Sequence, residues 1–196
     1  MGYTHYWYRE KEIDTEDFNK ITTDFEKLLQ TFKVLDIKLA DGHGKGEPTI
    51  TPDLVCFNGS SSCGHPKNSS LVIPWPSDNP KFGTSPDTQK SISGSWYAGA
   101  VIDQRSCNGD CSYETLYFPK TFDTEGYNSQ NDRGQYFACC KTAFRPYDLA
   151  VTVFLVIAKH YLGDKLTVSS DGEMQHWIDA VKMTENAFGY GSGFKI

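Results

Sequence analysis

From Leu149 to Ala158 every residue except Thr152 is apolar, and the helical pattern runs on to about Leu162, where Gly163 stops it. This run has about half the length a bilayer-spanning helix requires, so it reads as a core helix enclosed by the rest of the chain. Pro146 stands in its first turn, where a missing N–H costs nothing. Gln135 to Lys141 before it and Lys165 to Ser169 after it read as strands. Asp171 then caps a last helix with Met174, Trp177, Ile178 and Val181 on one face. Strand, helix, strand and helix in that order imply two parallel strands joined by a right-handed crossover, with their carboxyl ends side by side. Ligands of open α/β sheets prefer that edge.

Upstream, Tyr3 to Arg9 is an aromatic-rich strand, with Tyr3, His5 and Trp7 on one face. Asp14 or Thr15 caps a helix whose Phe18, Ile21, Phe25, Leu28, Leu29 and Phe32 keep the 3.6-residue period. Val34 to Leu39 and Leu54 to Phe57 read as strands around the glycine-rich turn Asp41 to Gly46, which follows neither dinucleotide nor Walker spacing. Gly59 to about Arg133 is loop-rich, with strand-like islands at Leu71–Ile73, Ser95–Ile102 and Tyr113–Phe118. The 196 residues are expected to form one α+β domain. It has a mixed sheet, about three helices and a C-terminal strand-helix-strand-helix unit, and it buries roughly 70% of its unfolded surface.

With 19 Lys plus Arg against 25 Asp plus Glu, the net charge is −6, and no basic cluster is large enough to favour duplex nucleic acid or an anionic membrane. The start Met1 to Trp7 lacks the pattern of a secretory signal, so a cytoplasmic location is expected. Homo-oligomerisation is left open. Six cysteines in such a chain are expected to be thiols or metal ligands. Cys63-x-His65 and Cys107-x-x-x-Cys111 could supply four ligands to one structural zinc, but their spacing is looser than in well-attested knuckles, so the expectation is no metal and no cofactor. Cys56, Cys139 and Cys140 are read as small core residues in strands.

The segment Cys140 to Asp148 concentrates the most ligand-binding chemistry. Lys141, Thr142, Arg145, Tyr147 and Asp148 gather at an expected helix N-terminus, which favours a phosphate or carboxylate. Lys141 and Arg145 would clamp the anion, with Thr142, Ser169 and Ser170 hydrogen-bonding it. Asp148 and Asp171 read first as caps, and His5 and Trp7 as either core residues or a surface for a base. Asn58 and Glu114 would fix turns or hydrogen-bond a ribose or base edge. His5, Glu114, Lys141 and Asp148 could act as acids or bases, yet no recognised catalytic motif joins them, so binding without turnover is expected.

Met1-Gly2-Tyr3-Thr4-His5-Tyr6-Trp7, Phe57-Asn58-Gly59, Ile73-Pro74-Trp75-Pro76, Cys107-Asn108-Gly109-Asp110-Cys111-Ser112-Tyr113-Glu114-Thr115, Cys140-Lys141-Thr142, Arg145-Pro146-Tyr147-Asp148 and Ser169-Ser170-Asp171-Gly172 together resemble an uncharacterised protein family of bacteria and bacteriophages. The likeness spans nearly the whole chain and implies kinship without an established activity. Tyr113 and Leu116 stand where that family usually has His and Phe, which weakens a metal or general base at 113. By analogy, viral domains of similar size and class sequester nucleotide immune signals. The expected function is therefore non-catalytic binding of a small anionic, nucleotide-derived ligand in the cytoplasm, the host's if the protein is viral. A nucleotide-cleaving hydrolase and a protein-interaction module are the alternatives.

Overall fold

The computed structural model describes residues 2–71, 95–97, 100–102, 105–124 and 129–196. The fold is α+β. Strand β1 (Thr4–Arg9) is followed by helix α1 (Thr15–Val34), short strands β2 (Leu39–Ala40) and β3 (Thr49–Ile50), and β4 (Leu54–Gly59). Then come β5 (Lys67–Leu71), β6 (Ser95–Tyr97), β7 (Ala100–Ile102), β8 (Arg105–Asn108) and β9 (Leu116–Pro119). The chain ends with β10 (Tyr136–Lys141), α2 (Asp148–Leu162), β11 (Leu166–Ser170) and α3 (Ile178–Phe188).

Helix α1 starts as its sequence dictates: the Asp14 side chain accepts the N–H groups of Glu16 and Asp17, and acidic residues fill the first turn. Its stripe Phe18, Ile21, Phe25, Leu28 and Phe32 is buried, and Phe25 meets Phe57 of β4 and Phe154 of α2 at ring distances of 5.1 and 5.4 Å. Helix α2 is buried along all of Leu149 to Ala158 and packs on α1, α3 and β11, so the uniformly apolar run is the centre of the core.

Several expectations are corrected. The run Val34 to Leu39 does not begin as a strand: α1 continues through Val34, and Asp36 takes a left-handed backbone (φ 59°) that turns the chain before β2. The expected parallel pair β10 and β11 is split by β1, which runs antiparallel to both, in the order β10-β1-β11. The carboxyl ends of β10 and β11 still share one edge, because Thr4 faces Lys141 and His5 faces both Cys140 and Ser170. Asp171 does not cap the last helix. A single 3-10 turn, Met174–Trp177, precedes α3 and is closed by a reciprocal Glu173–His176 capping box. Of the predicted strand islands, Val72 and Ile73 lie outside the described residues, as do positions 98 and 99, while Tyr113 and Glu114 are loop and only Leu116–Pro119 is strand.

A second sheet, β2-β4-β3 with β9 on β4, carries Phe57, Leu116 and Phe118 into the same core. The β5–β8 ribbon stands beside it.

Candidate functional site

At the shared edge of the first sheet, His5 is fully buried, and both its ring nitrogens are engaged. Nε2 lies 2.8 Å from Asp148 Oδ1 and Nδ1 3.0 Å from Ser170 Oγ. Asp148, the first residue of α2, also accepts the Thr142 hydroxyl on Oδ1 and Arg105 Nε on Oδ2, the latter at 2.9 Å. Arg105 reaches on to Asp179 Oδ2 at 2.9 Å and to the His176 carbonyl at 3.3 Å. Burial alone would raise the Asp148 pKa, but the charge and hydrogen bond of His5, with Arg105 and the Thr142 hydroxyl, hold it well below the carboxylate range. Asp179 goes the other way: burial pushes it up, against the opposing pull of Arg105. The result is an internal knot in which a cation is shared by two carboxylates.

This arrangement reassigns several predicted ligand residues. Asp148 is neither cap nor surface acid; its carboxylate is consumed inside, and Thr142 is fully buried with it. Trp7 lies against Phe118, and His5 meets Tyr3 and Trp177 edge-on at 4.9 Å each, so the face expected to stack a base is packed into the core. The row Ser170–His5–Asp148 has the connectivity of a serine-hydrolase triad, but Ser170 Oγ also accepts the Gly172 N–H and turns toward the Thr4 carbonyl, the bonding of a turn closure. Asn58 fixes a turn: its side chain binds both the N–H and the carbonyl of Tyr113. Tyr147 is buried and donates to the Glu114 carbonyl at 2.6 Å. The Glu114 carboxylate accepts the Lys141 N–H at 2.7 Å. Asp171 accepts the Thr4 N–H and the Tyr6 hydroxyl, and Ser169 is exposed.

The helix-start loop is also largely self-satisfied. The N–H groups of Asp148 and Leu149 bond back to Arg145 and Pro146, and those of Thr142 and Ala143 both reach the Tyr3 carbonyl. Ala143 and Phe144 are consecutive non-glycine residues with positive φ (49° and 54°), a strained pair held by those bonds and by Phe144 stacked on Tyr3 at 3.6 Å. Lys141 spans toward the Tyr113 ring at 5.7 Å. Arg145 differs from its neighbours: its Nε is buried without a hydrogen-bond partner. Arg105 and Asp179 were not anticipated. Arg105 sits in the loop-rich region with nothing local to mark it, and its partners are 43 and 74 residues away.

A second polar cluster lies at the base of the β5–β8 ribbon. Sγ of Cys63, Cys107 and Cys111 and a ring nitrogen of His65 all lie within 4.8 Å of one another. The closest approaches are 3.5 Å for Cys63 to Cys107 and 3.1 Å for His65 Nδ1 to Cys111. In a tetrahedral zinc site, Zn–S of ~2.3 Å and Zn–N of ~2.0 Å put ligand atoms about 3.5–3.8 Å apart, so the four atoms are already nearly in place. Backbone geometry makes this possible. Gly59 lets the chain at Cys111 pass close by, since a Cβ there would fall 2.0 Å from the Cys111 carbonyl oxygen. The Cys111 N–H donates to the Ser60 carbonyl, and the left-handed Gly64 (φ 75°) turns Cys63 toward His65. The three thiols are buried, and no disulfide joins them.

The thiols shift one another's ionisation in opposite directions. Burial, then the neighbouring Cys107 and Cys63, push Cys111 far up. At Cys63 the upward push of burial is outweighed by the His65 N–H and by the Cys107 and Cys111 thiols, which lower it. Gly109 N–H also donates to Cys107 Sγ at 3.2 Å. The cluster thus eases ionisation at Cys63, and a bound cation would ease it further. The set Cys63, His65, Cys107 and Cys111 thus comes together from the two pairs noted in the sequence as a group able to hold a metal ion. The remaining cysteines divide: Cys140 is a buried core residue as expected, but Cys56 is half-buried and Cys139 exposed. No helix among the described residues is long and apolar enough to cross a membrane. No family model, curated protein or solved structure matches the chain.

Proposed function

We propose that this protein is a non-catalytic binding domain stapled by one structural zinc ion, held by Cys63, His65, Cys107 and Cys111. The convergence of three buried thiols and an imidazole, drawn from two segments 44 residues apart, supports this reading. Sulfur-rich, closed ligand sets of this kind suit a structural zinc, whereas catalytic zinc keeps a position open to water. The ion would join the end of β4 to the β5–β8 ribbon, where among the described residues these cysteines form a small buried cluster apart from the main one. The test is native against denaturing mass spectrometry, with elemental analysis. One zinc per chain, lost in Cys107→Ser, is expected; a metal-free chain two mass units light, from a Cys63–Cys107 disulfide, would overturn the assignment.

A second reading concerns the ligand. Arg9 is buried and satisfied by the carbonyls of Glu10, Lys11, Pro119 and Lys120, and Arg105 is held by carboxylates, but Arg145 Nε has no partner. That orphan donor, with Lys141 on the same edge of the sheet, favours a small anionic ligand such as the phosphate of a nucleotide. The interior places of His5 and Trp7 leave base recognition to other residues. Calorimetric titration with inorganic phosphate and with a nucleoside triphosphate tests it: binding by the native chain should vanish in Arg145→Ala, and equal affinity in both would remove Arg145 from the site.

A further inference from the structure

His65 is gripped from both sides. Nδ1 faces Cys111 Sγ at 3.1 Å, and Nε2 lies 3.0 Å from Asp36 Oδ2. A neutral imidazole carries one N–H, so a carboxylate acceptor at Nε2 fixes the proton there and leaves the Nδ1 lone pair toward the three sulfurs. Asp36 occupies an unusual backbone position for this purpose. It is a non-glycine residue at φ 59°, directly after α1, with its N–H bonded to the Lys33 carbonyl. Lys38 completes the outer ring: Nζ lies 3.6 Å from Asp36 Oδ1 and donates to the Cys63 carbonyl.

We infer that Asp36 is a positioning residue of the metal centre, selecting Nδ1 of His65 as the zinc ligand and coupling the centre to the end of α1. The inference rests on the zinc assignment above. Outer carboxylates on metal-bound imidazoles commonly account for about 10–100-fold in affinity. A turn-forming role alone predicts something else: Asp36→Gly would relax the left-handed backbone and leave metal binding unchanged or improved.

The test uses the full chain with Asp36→Gly and Asp36→Asn, measuring zinc affinity by competition with a chromophoric chelator, the ligand-field spectrum of the cobalt-substituted protein, and the His65 tautomer by nitrogen NMR. Asp36→Gly is expected to lose about 10–100-fold in zinc affinity and to alter the cobalt spectrum and the tautomer. Asp36→Asn, which tolerates φ above zero and keeps an acceptor oxygen, is expected to restore part of the affinity. Native-like affinity, spectrum and tautomer in Asp36→Gly would overturn the positioning role and leave the zinc assignment standing. No zinc or cobalt uptake by the native chain would overturn both.

Discussion

The knot around Arg105 and the cluster around Cys107 are both made of buried polar side chains, but they close differently. In the knot, donors and acceptors match: Arg105 faces Asp148 and Asp179, and His5 and Thr142 fill the remaining oxygen sites of Asp148. In the cluster, the three thiols and the imidazole pair with one another through weak sulfur contacts, and each also carries a lone pair that could face a common cation. A buried group of charges needs internal compensation, whereas a buried group of soft ligand atoms can also accept a cation from outside. The first region therefore reads as architecture and the second as a group able to hold a metal ion, the reverse of what the density of charged residues in Cys140 to Asp148 suggests.

The largest expected effect comes from removing one sulfur. Cys107→Ser should abolish metal binding and destabilise the fold by on the order of 4 kcal/mol, or roughly 8–16 °C in Tm, with a strong chelator reproducing the shift in the native chain. Equal melting with and without chelator would erase the distinction. Next, Arg105→Met leaves two carboxylates buried without their cation and should cost about 3–5 kcal/mol in urea unfolding without changing metal content. A third measurement uses pH. The Asp148 pKa is depressed in the folded state, so its contribution is complete above the unfolded value of about 3.9 and is lost as pH falls below it. Stability of the native chain should drop in that window, and Asp148→Asn should flatten the drop. A metal held as proposed would be released with acid in a separate transition, followed by elemental analysis. Smallest of all, Arg145→Ala should change stability by less than about 0.5 kcal/mol while removing phosphate binding.

Elements governed by local pattern were legible in the sequence. Asp14 with Glu16 and Asp17 announced the start of α1, and the unbroken apolar run at Leu149–Ala158 announced a buried α2 ending at Gly163. The two Cys/His pairs were visible as candidate ligands, but whether Cys63 meets Cys107 depends on the β5–β8 pairing and on the contact at Gly59, neither of which leaves a periodic signature. The Arg145 segment drew attention because several functional residue types stood together, yet adjacency in sequence does not say which side chains turn inward. Asp148 turned toward Arg105, whose presence at the start of β8 has no local mark. Asp36 was hidden for a similar reason: Val34 to Leu39 reads as a strand unless one knows that α1 runs on to Val34.

The position of β1 bears on how the chain is made. Its Thr4–Arg9 backbone is laddered with residues 136–141 and 166–170, so the middle strand of this sheet meets both its neighbours only across a long stretch of intervening chain. A nascent chain on the ribosome would carry this aromatic-rich strand with two open edges while the intervening chain is made, at about 5–20 residues per second, before either partner emerged. Pairings of such long sequence separation are slow to close. Helix α1 and the β4–β9 pair can form beforehand, and the sheet is then completed around β1 as β10 and β11 arrive.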